Sequence, residues 1–404
     1  MSAPMSISLE SKANRSSQFS IFLGGWLRTI EESANYVAER LRPESLIQCL
    51  AVSVVVLSVS FFLYAPNLWM PLCDGRCQDA LAIAASPLRY GHLNYPFAAN
   101  RVMLPWLSHL LHFTRSAVFA VPILANVLNF ALCFRMLSVQ MNTGAGLLCT
   151  AALAITQVGQ VGNTWFGWPD PLCLLLLTLT MTVRWSWWLF PLVVAGVLTD
   201  DRFLVGLLGS ILWRLYVGPE SRLPVQVAAR ALVPPLIAGM LGWIIAEYLL
   251  HRGYIGPAVR DATTRDIFYG SYVFNWWHRP LAVLFSFRWF WLAPCAVVLT
   301  GRRIVKRLLI PICVLAASCF VLTLPGDMTR SMAVAFPQVL LFCVMLDEGQ
   351  PILARKIFTA TLFFNVVTPM LYIFQLSIWP AYPLPLVLWR TLHASAGGYR
   401  WPIS

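Results

Sequence analysis

Charge is what this sequence has least of. Asp, Glu, Lys and Arg together make up 11% of its 404 residues, less than half of the roughly 25% found in soluble domains. Lysine is almost missing, with only Lys12, Lys306 and Lys356 present. The 58% of hydrophobic residues exceed what one water-soluble core can hide. These shortages exclude a cytosolic enzyme, a disordered chain and a nucleic-acid module. Common signatures are missing too. There is no P-loop, no GxSxG, no HExxH and no dinucleotide fingerprint. His109 and His112 stand three apart, but no nearby acidic residue completes a metal set. No internal repeat is evident, and the first 44 residues carry no secretory signal.

What remains reads as an all-α protein, a polytopic bundle of transmembrane helices. Apolar segments lie near 46–65, 117–134, 144–166, 170–183, 185–200, 203–217, 231–250, 281–299, 308–325, 332–346 and 357–374. That predicts about eleven spans. Those at 170–183, 185–200 and 203–217 are short enough to be tilted, broken or re-entrant. Residues 1–44 form a polar N-terminal segment in which Phe19, Phe22, Leu23, Trp26 and Ile30 recur at helical spacing. This predicts an amphipathic interfacial helix, against the plainer reading of a solvated tail. Residues 45–374 are the transmembrane domain, and 375–404, rich in Pro and Trp, a C-terminal tail at an interface. No soluble domain is visible.

The net charge of +12 is mostly arginine. Contact with anionic membrane lipid explains it as well as phosphate binding does. The run Arg302-Arg303-Ile304-Val305-Lys306-Arg307 is the clearest cytoplasmic signal. It places the N-terminus in the cytoplasm and the loop at 66–116 outside. With that parity eight of the nine aspartates face outward: Asp74, Asp79, Asp170, Asp200, Asp201, Asp261, Asp266 and Asp327. Arg76, Arg89, Arg101, Arg202, Arg265 and Arg330 share that side, which suggests an outer-face site for a charged ligand.

The long first outer loop holds Cys73-Asp74-Gly75-Arg76-Cys77-Gln78-Asp79. Loops of this length are usually functional or disordered. Asp74 or Asp79 could act as general base towards a hydroxyl, or Asp74 could hold a divalent cation such as Mg or Mn. The structural alternative is a turn at Asp74 and a helix cap at Asp79. Cys73 and Cys77 could form a disulfide on an oxidising face.

In Trp165-Phe166-Gly167-Trp168-Pro169-Asp170-Pro171, Asp170 reads first as an N-cap and Trp168 as part of an interfacial belt. A platform for a sugar or lipid is the rival reading. In Asp200-Asp201-Arg202 one aspartate caps the following helix and the other is left unexplained. Asp327 and Arg330 pair across a helix start, or Arg330 holds a phosphate beside the exposed amides. The stretch 251–280 interleaves arginines with Tyr269, Tyr272, Trp276 and Trp277, as a lipid or glycan contact or an interfacial helix would.

These features resemble the GT-C superfamily of polytopic membrane glycosyltransferases. The resemblance rests on the inside N-terminus, the first outer loop with Asp74 and Asp79, the short middle spans and the charged outer helix ends. Asn100-Arg101-Val102-Met103-Leu104-Pro105-Trp106-Leu107 looks like the Arg-x-x-x-Pro segment that follows that loop in some members. The resemblance implies a polyprenyl-phosphate sugar donor and a glycan, lipid or protein acceptor. It implies Asp74 or Asp79 as base or metal ligand, and Arg101, Arg202 or Arg330 as phosphate holder. The chain departs from the larger members in lacking a soluble C-terminal domain and an acidic dyad within the first loop, which leaves the base open. Two rivals from other classes stand beside it. A lipid or solute transporter or flippase would use the ionisable groups near spans, such as Glu247 and Arg288. A non-catalytic scaffold subunit would need none of them.

Overall fold

The computed structural model describes residues 9–64, 75–87, 93, 101–112, 114–164, 168–252, 277–300, 305–325, 327–374 and 377–394. The chain starts with α1 (Leu9–Ala38) and the apolar α2 (Leu46–Leu63), then α3 (Gly75–Ala85), α4 (Met103–Leu110) and the long α5 (Thr114–Gln140). There follow α6 (Thr143–Ala154), α7 (Gln157–Thr164), α8 (Asp170–Thr182), α9 (Leu189–Thr199), α10 (Phe203–Tyr216) and α11 (Val225–His251). The last third comprises α12 (His278–Phe287), α13 (Leu292–Thr300), α14 (Val305–Leu322), α15 (Met328–Met332), α16 (Phe336–Gly349) and α17 (Pro351–Val367). A hairpin of β1 (Met370–Phe374) and β2 (Ser377–Ala381) and a final helix α18 (Leu384–Ala394) complete it.

Among the described residues, five stretches are long and apolar enough to cross a membrane: Leu46–Leu63, Ser116–Gln140, Val225–Leu250, His278–Thr300 and Met328–Gly349. The chain is thus built as an integral membrane protein. Further apolar helices, including Asp170–Thr182, Ser186–Thr199 and Phe203–Tyr216, have only 10–17 residues. They are shorter than the ~20 residues that an untilted span needs. Against the expectation of about eleven spans, the described residues hold five full-length candidates, and the other apolar helices are too short to count as spans by length. The stretch Met328–Gly349 is buried over its whole apolar window, so it forms the centre of the bundle, against α10, α13 and α17. By contrast α11 leaves Ile237, Leu241, Ile244 and Ile245 exposed, as a lipid-facing helix does.

Two expected elements differ in kind. The segment at 144–166 is broken: Thr156 ends α6 by donating to the Leu153 carbonyl and starts α7 by accepting from the Val158 amide. A hydroxyl that serves both helix ends makes the break self-sufficient inside an apolar environment. The segment at 357–374 is helical only to Val367 and then turns into the antiparallel hairpin, in which Tyr372 pairs with Trp379. The all-α architecture thus carries one small sheet, and a domain boundary between 374 and 375 would cut through it.

Polar residues tie the apolar helices together. Ser53 donates to the Val127 carbonyl at 2.7 Å. Gln160 donates to the Ser60 carbonyl at 3.0 Å and to its hydroxyl at 2.7 Å. Thr178 donates to Asn129 at 2.6 Å. Lipid supplies no hydrogen bonds, so such groups must find partners across helix interfaces. Gly206 lies where a Cβ would come within 2.6 Å of the Val334 carbonyl. Only glycine allows α10 to approach the central helix that closely.

Candidate functional site

Three arginines and four aspartates from separated segments meet in one network. Arg101 stands just before α4, Asp170 opens α8, Asp200, Asp201 and Arg202 join α9 to α10, and Asp327 and Arg330 lie at the start of α15. Packing of α4 on α9 and of α8 on α9 and α10 brings the first of these helix ends together, and α10 packs on the turn Ala333–Ala335 that directly follows α15.

Arg202 is the centre. Its Nε donates to Asp200 Oδ1 at 2.7 Å, its Nη2 to Asp170 Oδ1 at 2.7 Å and to Asp200 Oδ2, and its Nη1 to the Ser331 hydroxyl at 3.1 Å. Arg101 reaches Asp200 Oδ2 at 3.3 Å and Asp201 Oδ1 at 2.8 Å. Arg330 Nε lies 3.1 Å from Asp170 Oδ1 and 3.0 Å from Asp327 Oδ2. Both oxygens sit off its N–H direction, so Nε has no hydrogen bond. The Arg330 guanidinium carbon lies over the Trp168 ring, 3.8 Å from its centroid. The Tyr372 hydroxyl donates to Asp327 Oδ1.

Exposure grades across the network. Asp200 is fully buried and Asp170, Arg330 and Asp327 nearly so, whereas the Asp201 side chain is 62% exposed. Burial on its own would raise the Asp200 carboxyl, but Arg101 and Arg202 outweigh it and hold that group well below the usual carboxylate range. Burial works against Arg202 in the same way, and Asp200 and Asp170 overcome it, raising the guanidinium well above its ordinary value.

The expectation that Asp170 caps α8 needs correction. Pro169 holds the N-cap position, and Asp170 is the first helical residue. Its carboxylate turns to Arg202 and Arg330 instead. Asp327 does hold an N-cap position, yet its side chain caps nothing. Asp200 and Asp201 both turn to the start of α10, accepting from the Arg202 amide at 3.0 Å and 3.2 Å, although Arg202 itself holds the N-cap position. Trp168 is a buried support for Arg330 rather than a member of an exposed belt.

Of the residues singled out in the sequence, Trp168, Asp170, Arg101, Asp200, Asp201, Arg202, Asp327 and Arg330 all belong to this one cluster. Asp79 is buried in α3, which packs on α4 and α5. Asp74 lies outside the described residues. Cys77 is disulfide-bonded, and Cys73, its expected partner, is likewise outside them. Sequence reasoning missed Ser331 and Tyr372. Ser331 directly follows Arg330 and gave a local hint. Tyr372 lay inside an apolar stretch read as a span and gave none.

A divalent cation finds no described home. No group of three or more His, Cys, Asp or Glu among the described residues could hold a metal. The network's carboxylates are already engaged by guanidiniums, which compete with a cation for the same oxygens. No protein-family model matches the chain, and neither curated proteins nor solved structures give a match.

Proposed function

We propose that the chain is a membrane glycosyltransferase that moves a sugar from a polyprenyl-phosphate carrier to a hydroxyl acceptor. One observation carries this reading: the charged residues of four chain segments form a single network at the helix ends of an apolar bundle. Buried charges in such a bundle are rare and serve function by default. They lie at the helix ends, where a lipid headgroup and a water-borne acceptor can meet, rather than halfway along the spans as transport would favour. The disulfide at Cys77 supports an oxidising, extracytoplasmic side for α3, the helix that packs on the Arg101-bearing corner.

The chemistry is a displacement at the sugar carbon. The acceptor oxygen forms a bond to that carbon, and the bond to the carrier phosphate breaks with its electron pair leaving on phosphate. The acceptor proton passes to a carboxylate. Asp201, exposed at the edge of the network and 2.8 Å from Arg101, is the carboxylate we assign to that role, with Asp74 and Asp79, which the resemblance offers, as the alternatives. Arg101, on the same edge, is the cation nearest to an arriving phosphate.

The test uses membranes containing the chain and a panel of polyprenyl-phosphate sugars labelled in the sugar. Transfer of label to an acceptor is expected. Asp201→Asn should lower it by about 10²–10⁴-fold, the range for a lost proton-transfer group. The carrier crossing the bilayer with its sugar still attached, and no label transferred, replaces the reading with transport.

A further inference from the structure

The charge count of the network poses a question that the transferase reading leaves open: which part of the donor meets Arg330. Three guanidiniums face four carboxylates, so the cluster carries one excess negative charge. A phosphate placed against Arg330 would also lie against Asp170 and Asp327. Like charges at that range in a buried site repel strongly.

Yet the same spot holds unmet hydrogen-bonding capacity of both signs. Arg330 Nη1 is buried without an acceptor and Asp170 Oδ2 without a donor, while Arg330 Nε and Asp327 Oδ2 stand 3.0 Å apart as an ion pair with neither forming a hydrogen bond. The Arg330 side chain is only 3% exposed. A group that only accepts, such as phosphate, would satisfy the arginine and worsen the two carboxylates. A group that only donates would do the reverse. Hydroxyls on adjacent carbons do both, since each offers one donor and two acceptor lone pairs. Trp168 backs the guanidinium on one side, 3.8 Å from its carbon, and the guanidinium offers its donors in a rigid fork.

We infer that the Asp170–Arg330–Asp327 face is the sugar subsite, recognising neutral vicinal hydroxyls and excluding phosphate. The inference rests on the transferase reading for its role and on the orphaned atoms for its chemistry. It reassigns Arg330, which the resemblance offered as a phosphate holder, to the sugar ring.

The experiment is saturation-transfer NMR on the full chain in nanodiscs, with D-glucose, D-mannose, D-galactose and D-arabinose as free probes and inorganic phosphate as competitor. At least one sugar is expected to give a signal that phosphate at equal concentration leaves in place. Asp170→Asn and Asp327→Asn keep the shape but replace an acceptor oxygen by a donor. Each should weaken that sugar's binding by about tenfold or more, because a site built for hydroxyls is left with mismatched polar groups. Should either variant fail to fold, Arg330→Lys carries the comparison: it keeps the charge, loses the fork, and should also lose the signal.

No signal from any of the four sugars overturns the inference, since water alone then fills the site. Displacement by phosphate overturns it as well, and so does unchanged binding in the folded variants. The two readings fail separately. A sugar that binds here and is never transferred removes only the transferase reading. Transfer that is insensitive to Asp327→Asn and Arg330→Lys removes only the sugar subsite.

Discussion

Among the described residues, the buried and half-buried arginines with charged or carbonyl partners fall into two groups that solve different problems. Arg214 donates to the Thr180 carbonyl at 2.9 Å and the Val183 carbonyl at 2.6 Å, at the C-terminal end of α8, and pairs with Glu220. Arg288 donates to the Ile155 carbonyl at 3.0 Å, to the Thr368 hydroxyl at 2.8 Å and to the Thr368 carbonyl, where α6 and α17 end. Helix C-termini present unpaired carbonyls and the negative end of the helix dipole. Both arginines are therefore explained by the fold: each staples helix ends that lipid could not satisfy. Arg288 even adopts φ 55°, a strained conformation that its surroundings must enforce.

Arg101, Arg202 and Arg330 are not explained that way. Their partners are aspartates at helix starts, and of these Asp170 and Asp327 cap nothing, while Asp200 and Asp201 share the Arg202 amide. Replacing such a cluster by apolar residues would stabilise a bundle as well or better. The contrast separates charges that hold the fold from charges that the fold holds, and the second kind marks the site.

The largest effect is expected from Arg202→Met. It leaves Asp170 and Asp200 buried with one guanidinium fewer, and breaking a buried pair in this way costs about 3–5 kcal/mol. Denaturant unfolding in detergent measures it. A loss below about 1 kcal/mol, the level of a solvent-exposed pair, would mean that water already enters the network, and the contrast between the two groups would blur.

Arg288→Met comes next. It strips donors from the ends of α6 and α17, at about 1–3 kcal/mol for each buried group left unmet. Stability should fall, while the fraction that folds keeps the sugar transfer that the proposed function calls for. A folded Arg288→Met protein as inactive as Arg202→Met would break the comparison, because a staple would then be acting as part of the site.

How much of this could be read in advance divides along the same line. Long apolar runs announce helices, and charged residues at their ends announce where polar ends must lie, so Leu46–Leu63 or Met328–Gly349 are legible from composition alone. Which charges meet is not. Arg202 joins Asp170 and Ser331 through tertiary packing of α8, α10 and α15, and no spacing in the sequence encodes that. Asp170 before Pro171 reads as a helix cap by local rules, and the stronger pull of two guanidiniums overrides them. The break at Thr156 depends on one hydroxyl in an apolar stretch. The hairpin at Met370–Phe374 is written in residues that suit a span equally well, so Tyr372 and its bond to Asp327 were invisible.

Acid separates the groups by a different measure. The folded value of Asp200 lies below its unfolded one, near 3.9 for a free aspartate. Its contribution is therefore complete at neutral pH and disappears as pH falls beneath about 4 through the folded value. Arg288, which binds carbonyls and a hydroxyl, adds no such limb. Unfolding followed from pH 7 to pH 2 should show an acid loss that Asp200→Asn reduces and Arg288→Met leaves in place. An acid limb of equal size in Asp200→Asn would assign it to other carboxylates.

The smallest effect tests whether the hairpin belongs to the site or only rests on it. Tyr372→Phe removes the hydroxyl that donates to Asp327 Oδ1, while Thr329 still binds the Ile373 amide at 2.9 Å and its carbonyl at 3.1 Å. The strand therefore stays docked, and the lost bond to a charged acceptor is worth about 1.5–3 kcal/mol at most. If the hairpin only covers the network, stability falls by that amount and sugar binding is unchanged. If Tyr372 sets the angle of Asp327 towards the unmet Arg330 nitrogens, sugar affinity falls with it, and the calorimetric titration of wild type against Tyr372→Phe reads the difference directly. The second result is the expected one, because a carboxylate with one oxygen fixed by a tyrosine has only its other oxygen left to offer.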